Sequence, residues 1–122
     1  MSGDAICGPP PWDLPRVEIP FDARFEHAMN NDEKTKTSRN KIYGKVGMVF
    51  WAFKHIFIIR AIEPYSLTEV ATKFYKEEGL ESPEAFRKVW EELHPRKGWI
   101  PDQMVWVHTF ERVTWSERDM NG

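Results

Sequence analysis

Three segments of the chain place apolar side chains at the three- and four-residue spacing of an amphipathic helix. The first covers residues 21–30. The second begins at Ser66, which forms a capping-box pattern with Glu69. The third begins at Ser82, which precedes a proline at the first helical position. We therefore predict three helices, with the apolar stripes Phe21, Phe25, Ala28 and Met29, then Leu67, Val70, Ala71 and Phe74, then Phe86, Val89, Trp90 and Leu93.

Other segments have the patterns of strands. Val46–Phe53 and Ile56–Ile62 are rich in Val, Ile, Phe and Trp, and they predict two strands with a hairpin turn at Lys54-His55. Met104–Val113 alternates apolar and polar residues and predicts a further strand, and Lys34–Arg39 is either a short strand or a loop. Because the strands do not alternate regularly with helices, we predict an α+β fold: a small mixed β-barrel with two to three helices packed at one side.

The two ends of the chain differ from this pattern. Five of the nine prolines fall in residues 1–20, which predicts an extended N-terminal arm, either free or laid over the domain. Residues 114–122 are polar and predict a C-terminal tail. The length of 122 residues leaves one domain, residues 21–113, between them.

Composition narrows the setting and the chemistry. Cys7 is the only cysteine, which excludes an intramolecular disulfide and a cysteine-based zinc site. The longest apolar stretch is interrupted by charged residues and is shorter than a membrane span, and no signal-peptide pattern is found. These features favour a reduced, cytoplasmic protein without a membrane partner. The four histidines lie on different elements with no ligand motif, so we expect no metal and no cofactor.

Charge is unevenly distributed, although the net formal charge is only −2. Residues 34–62 carry seven basic residues and no acid, whereas residues 63–92 carry eight acids and four bases. A ligand responds to this local field rather than to the net charge. A basic segment in a nearly neutral chain indicates either a solvated sheet face or a binding site.

The basic run Lys34–Arg39 interleaves cations with hydroxyls. If the run is extended, Lys34, Lys36 and Ser38 share one face. Its lysines and arginine suit a phosphate or a base edge, which would make it a binding site. Alternatively, Lys34 takes a proton from the hydroxyl of Thr37 and makes it a nucleophile. The run is also typical of an edge strand that lysines protect from aggregation.

The base role depends on the pKa of Lys34. Nearby Lys36 and Arg39 would lower it, whereas the adjacent carboxylates of Asp32 and Glu33 would raise it. The sequence leaves the sign of the net shift open.

The order of several short motifs resembles a known family. The chain is similar to ASCH domains (activating signal cointegrator homology), which belong to the PUA-like group of small β-barrels. The motifs span residues 21–113 and comprise Lys34-x-x-Thr37-x-Arg39, Tyr75-Lys76-Glu77-Glu78-Gly79-Leu80, Ser82-Pro83-Glu84-Ala85-Phe86, His94-Pro95 and Val105-Trp106-Val107-His108-Thr109-Phe110.

The resemblance implies a function as well as a fold. ASCH domains are thought to bind RNA or nucleotides, and one bacterial branch hydrolyses the amide of N4-acetylcytidine with a lysine, a threonine and a glutamate. Carried over by position, these catalytic residues are Lys34 as base, Thr37 as nucleophile and Glu78 as the group that orients or relays protons. The neighbouring Thr35, Lys36 and Arg39 would bind the ligand.

Two alternatives remain open at this point. One is an RNA-binding domain without catalysis, and the other is a protein-interaction domain that uses exposed aromatic residues and the proline-rich arm. Four aromatic residues are candidates to stack on a base, namely Trp51, Phe53, Phe57 and Trp106, although a small barrel needs most of its aromatic residues in the core.

Overall fold

The computed structural model describes residues 10–114, which form one four-stranded antiparallel sheet and three helices. None of these helices is long and apolar enough to cross a membrane. The strands are β1 (Lys36–Arg39), β2 (Val49–Ala52), β3 (His55–Ser66) and β4 (Met104–Arg112), and the helices are α1 (Glu26–Asn30), α2 (Leu67–Lys73) and α3 (Pro83–Leu93).

The sheet has the strand order β1-β4-β3-β2 and curls into a half-barrel. Strand β3 spans twelve residues and is the longest strand of the sheet, and it pairs with both β2 and β4. Its register with β4 shifts between Ile59 and Ala61, and an irregularity of this kind bends a strand and increases its twist. The predicted α+β class and barrel-like sheet are confirmed.

The hairpin between β2 and β3 is confirmed, but its turn lies one residue earlier than predicted. Ala52 pairs with His55, so the two loop residues are Phe53 and Lys54. Both have positive φ, 50° and 71°, as a tight two-residue hairpin turn requires. Lys54-His55 was the wrong pair because His55 already belongs to β3.

Local sequence signals place the helix starts correctly. The side chain of Ser66 accepts a hydrogen bond from the backbone N–H of Glu69, and the carboxylate of Glu69 accepts one from the backbone N–H of Ser66. Ser82 caps α3 in the same way, by accepting from the backbone N–H of Ala85. The helix predicted over residues 21–30 is instead a 3₁₀ turn, Ala23–Phe25, that continues into α1.

Two apolar clusters lie against the sheet. The first fills the space between the sheet, α1 and the arm, and the second lies under α2 and α3. Their buried members are Ile19, Phe25, Met29, Phe50, Phe57, Ile59 and Phe110 in the first, and Leu67, Val70, Ala71, Phe86, Trp90, Val105 and Val107 in the second.

Both edges of the sheet are covered by other parts of the chain. At the β2 edge, Arg16 forms a parallel bridge with Val49, and Ile19 inserts into the first cluster, so residues 10–20 of the arm lie over the domain. At the β1 edge, Lys34 forms an antiparallel bridge with Glu78. The remainder of the predicted arm, residues 1–9, and the tail from residue 115 onward lie outside the described residues.

Candidate functional site

A cavity of about 540 Å³ lies between β1, α3 and the chain segment that precedes α1. One wall is polar and comes mainly from β1 and from the loop after α2. Its residues are Lys34, Thr37, Ser38, Arg39 and Glu78. The facing wall is apolar and aromatic, and α3 supplies most of it, with Phe86, Val89 and Trp90.

Lys34 lies at the base of the polar wall and is 3% exposed. Its Nζ donates to the backbone oxygens of Lys36 at 2.8 Å and Glu78 at 2.9 Å, and to Glu78 Oε1 at 3.3 Å. It also lies 4.4 Å from the centre of the Phe25 ring, within range of a cation–π contact. An ammonium has three hydrogens to donate, and these three acceptors account for all of them.

Burial lowers the pKa of Lys34, and the positive charge of Arg39 adds to that effect, while the carboxylate of Glu78 opposes it. This settles the sign that the sequence left open. The neighbouring Asp32 points away from the site, since its carboxylate pairs with Arg112 at 3.0 and 3.1 Å.

The local backbone explains why Glu78 meets Lys34. After α2 ends, the backbone N–H groups of Thr35 and Lys36 both donate to the carbonyl oxygen of Glu77, which fastens this turn to β1. Gly79 has φ +89°, and a Cβ there would lie 3.0 Å from the Cβ of Lys34. A glycine is therefore needed both for the conformation and for the close approach of the lysine.

Glu78 is buried and connects Lys34 to a hydroxyl. Its Oε1 accepts from Lys34, and its Oε2 accepts from Ser38 Oγ at 2.6 Å. Glu78 is 4% exposed and Ser38 is 8% exposed, so water does not compete freely for these bonds. The result is a fixed chain of three side chains along one wall of the cavity.

Arg39, the last residue of β1, also lines the polar wall of the cavity. Its Nε donates to Thr37 Oγ1 at 3.0 Å, and one terminal nitrogen donates to the carbonyl oxygen of Pro20 at 2.6 Å. The guanidinium lies 4.8 Å from the Phe21 ring and 5.6 Å from the Tyr43 ring. Burial lowers the pKa of Arg39, which nevertheless stays cationic at neutral pH.

The predicted site residues separate into two groups. Lys34, Thr37, Glu78 and Arg39 line one cavity, whereas Thr35 and Lys36 are not among its lining residues. Lys36 extends across the sheet, where its Nζ donates to Thr109 Oγ1 at 2.8 Å. The expected alternation of faces fails because β1 begins only at Lys36, after the bridge between Lys34 and Glu78.

Comparisons with known proteins bear on the fold. No protein-family model and no curated protein sequence match the chain. An ASCH domain from Lactobacillus crispatus JV V101 superposes with a TM-score of 0.58 and 15% identity, over 78% of this chain and 77% of that one. Protein EF3133 from Enterococcus faecalis V583, described as DUF984, gives 0.57 and 18%, over 82% and 80%. Hypothetical protein PH0355 gives 0.61 and 18%, over 79% and 97%.

The chain has the fold of an ASCH domain. At 15–18% identity the likeness concerns the fold, so the chemistry of the site rests on its own residues.

Sequence reasoning missed two features of the site in this ASCH fold. Ser38 was placed on a strand face but not in the site, because its partner Glu78 lies forty residues away. Trp90 was read as a core residue, yet it also lines the cavity, with the imidazole of His94 stacked on its indole at 3.9 Å. None of the four predicted stacking residues lines the cavity: Phe57 is in the core, and Trp51 is 43% exposed elsewhere.

His108 is hydrogen-bonded to Tyr43, one of the residues that line the cavity. It is fully buried on β4, its Nε2 accepts from the backbone N–H of Tyr43 at 2.9 Å, and its Nδ1 lies 3.1 Å from the carbonyl oxygen of Trp106. These partners assign the proton to Nδ1 and the neutral form to the ring. Burial lowers its pKa accordingly. Within residues 10–114, no group of three or more His, Cys, Asp or Glu side chains is placed to hold a metal ion.

Proposed function

We propose that this domain binds one nucleoside or nucleotide unit, free or as part of an RNA strand, in the cavity beside β1. The observation that carries the proposal is that the guanidinium of Arg39 lines the cavity and has donors available to a ligand. Among the described residues, its guanidinium donates to Thr37 and Pro20 and also meets the side chain of Tyr43. A guanidinium has five N–H groups, so these contacts do not use all of them, and its planar fork suits a carbonyl oxygen, a base edge or a phosphate.

The size and the walls of the cavity support the same ligand class. A volume of about 540 Å³ lies within the range of roughly 300–1,000 Å³ that is usual for small-molecule sites. Aromatic faces on α3 and at Tyr43 suit a flat heterocycle, because every base can stack on such a face. Polar groups on the opposite wall would then fix the orientation of the base.

A calorimetric titration with cytidine, N4-acetylcytidine and cytidine monophosphate tests this proposal. The variant Arg39→Lys keeps the charge but removes the planar fork of donors. A lost hydrogen bond to a charged group costs about 1.5–3 kcal/mol, so affinity is expected to fall at least about tenfold. The matched control is Arg60→Lys, at an arginine outside the cavity. Equal affinity of both variants and the wild type would reject the role of Arg39.

Titration with a single-stranded RNA oligonucleotide at several salt concentrations tests the strand form of the ligand. Phosphate contacts require the logarithm of the binding constant to fall as the logarithm of the salt concentration rises. A flat dependence, together with tight binding of the free nucleoside, would restrict the ligand to the nucleoside alone.

Hydrolysis of an N4-acylcytidine amide is a second candidate function, with Lys34, Thr37 and Glu78 as the proposed catalytic residues. The observation that favours it is a buried lysine–carboxylate pair in a cavity that two hydroxyls also line. Buried groups with a shifted pKa, such as Lys34, are frequent at catalytic sites. The three acceptors around Lys34 indicate that it acts as an ammonium that holds Glu78, rather than as the base.

Incubation with N4-acetylcytidine measures this activity directly. Release of cytidine that Glu78→Gln abolishes would support hydrolysis, because glutamine keeps the shape of the side chain and loses the carboxylate. Absence of turnover at high enzyme concentration would reject the hydrolase and leave the binding proposal intact.

A further inference from the structure

Two adjacent hydroxyls line the cavity, and their hydrogen bonds run in opposite directions. Thr37 Oγ1 accepts a hydrogen bond from Arg39 Nε at 3.0 Å. Ser38 Oγ donates one to Glu78 Oε2 at 2.6 Å, a length typical of a hydroxyl bonded to an ionised carboxylate. A hydroxyl becomes a nucleophile when a base takes its proton, so the direction of these bonds distinguishes the two.

One oxygen of the Glu78 carboxylate accepts the hydrogen bond from Ser38. Its other oxygen accepts a hydrogen bond from Lys34 Nζ at 3.3 Å. Among the described residues, the hydroxyl of Thr37 accepts from the donor Arg39, whereas the hydroxyl of Ser38 donates to the carboxylate of Glu78, which can act as a base. Ser38 also lines the cavity, which gives a bound ligand access to the side chain.

From this geometry we infer that Ser38 is the nucleophile of an acyl-transfer site, with Glu78 as its general base. The inference rests on the hydrolytic form of the proposed function and replaces Thr37, the residue that the sequence suggests. The substrate class is a carboxylic amide or ester whose acyl group reaches the polar wall.

The reaction balances with these groups alone. Ser38 Oγ forms a bond to the acyl carbon while its proton moves to Glu78, and the guanidinium of Arg39, which lines the same cavity, stabilises the oxyanion. The bond from the acyl carbon to the leaving nitrogen or oxygen then breaks, and Glu78 returns the proton to the leaving group. Water then attacks the ester of Ser38 and gives a proton to Glu78. The bond from the acyl carbon to Ser38 Oγ breaks, Glu78 passes that proton to Ser38 Oγ, and the carboxylic acid leaves.

An activated ester tests the nucleophile without any assumption about the natural substrate. The protein is incubated with p-nitrophenyl acetate, and the acetylated position is mapped by mass spectrometry of peptides, which separates Ser38 from Thr37. Treatment with hydroxylamine removes an acetyl ester and leaves acetylated lysines, so background acylation is recognised. We expect a hydroxylamine-sensitive acetyl group on Ser38 of the wild type.

Variants refine the assignment. Ser38→Ala is expected to lose the acetyl ester, and Glu78→Gln is expected to form it about a hundredfold or more slowly, as loss of a general base predicts. Thr72→Ala is the matched control, because the hydroxyl of Thr72 is exposed on α2 and donates to backbone oxygens.

Each outcome decides the question. An ester on Thr37, or no ester on either hydroxyl of the wild type, overturns the inference, and neither result depends on how well a variant folds. Nucleoside titration of Ser38→Ala separates this inference from the binding proposal, because loss of the ester with retained binding concerns the nucleophile alone. An ester on Ser38 in a protein that binds no nucleoside would keep the nucleophile and reject the nucleoside.

Discussion

Two ion pairs of this domain have similar chemistry and opposite surroundings. Arg60 and Glu111 meet on the face of β3 and β4 at 2.7 Å, with side chains 57% and 62% exposed. Lys34 and Glu78 meet at the longer distance of 3.3 Å, but their side chains are only 2% and 5% exposed. Removal of one partner from the shorter pair is expected to lower the free energy of unfolding by less, because water competes for exposed charges and salt screens them. Burial and the number of fixed partners, rather than distance, set the importance of an ion pair.

The partners of the buried pair explain how it persists. Taking two charges out of water costs several kcal/mol for each ion, and their attraction offsets this only when further hydrogen bonds satisfy the charges. Two backbone oxygens and the Phe25 ring surround the ammonium of Lys34, and Ser38 donates a hydrogen bond to the second oxygen of the Glu78 carboxylate. The pair therefore contributes a fixed site geometry more than it contributes net stability.

The largest expected effect is the removal of one buried charge. Lys34→Met leaves the carboxylate of Glu78 buried without its cation, and such a change costs about 3–5 kcal/mol. Arg60→Met is the exposed counterpart and is expected to cost less than about 1 kcal/mol. Urea denaturation of both variants measures the free energies of unfolding. Similar small losses in the two variants would contradict the contrast between the pairs.

Removing both buried charges sharpens the same contrast. In Lys34→Met combined with Glu78→Leu, no unpaired charge remains, so the double variant is expected to be more stable than Lys34→Met alone. The coupling energy in the double-mutant cycle is expected to reach about 2–3 kcal/mol, the upper part of the range for residues in contact. A sum of two independent losses would mean that the pair does not act as a unit. Nucleoside binding should weaken in the double variant, because Lys34 and Glu78 are two of the five residues of the polar wall.

The difference between local and distant contacts also limits what the sequence can predict. The capping box of Ser66 and Glu69 was predictable because both residues lie within one helical turn. The contact between Lys34 and Glu78 spans 44 residues, and only the resemblance to a family suggested it. The hydrogen bond between Ser38 and Glu78 could not be predicted from the sequence, because no periodicity links a serine on a strand to a distant loop beside that strand. The turn at Phe53-Lys54 was missed by one residue, because bulky side chains at positive φ are rare.

The buried imidazole of His108 is expected to have a smaller effect on stability, and this effect depends on pH. His108 is neutral in the fold and its pKa is lowered by burial, so the unfolded chain binds more protons between that lowered pKa and the usual value of about 6.5. Stability therefore falls as the pH drops from 7 through this window, by about 1.4 kcal/mol for each unit by which the pKa is lowered. Thermal unfolding from pH 7 to pH 5 should show this slope in the wild type and a reduced slope in His108→Gln. An unchanged slope in the variant would assign the acid sensitivity to other groups.

The smallest effect is expected at the pair Asp32 and Arg112, whose side chains are 56% and 24% exposed, although two hydrogen bonds of 3.0 and 3.1 Å join them. Asp32→Asn removes the charge and keeps a residue that tolerates the positive φ of 60° at this position. The loss should be less than about 1 kcal/mol and should vanish in 1 M salt, where exposed charges are screened within about 3 Å. The loss in Lys34→Met should persist in the same salt, because ions do not reach the buried carboxylate. If salt removed both losses, water would have access to the Lys34–Glu78 pair, and the fixed geometry on which the role of Ser38 depends would be lost.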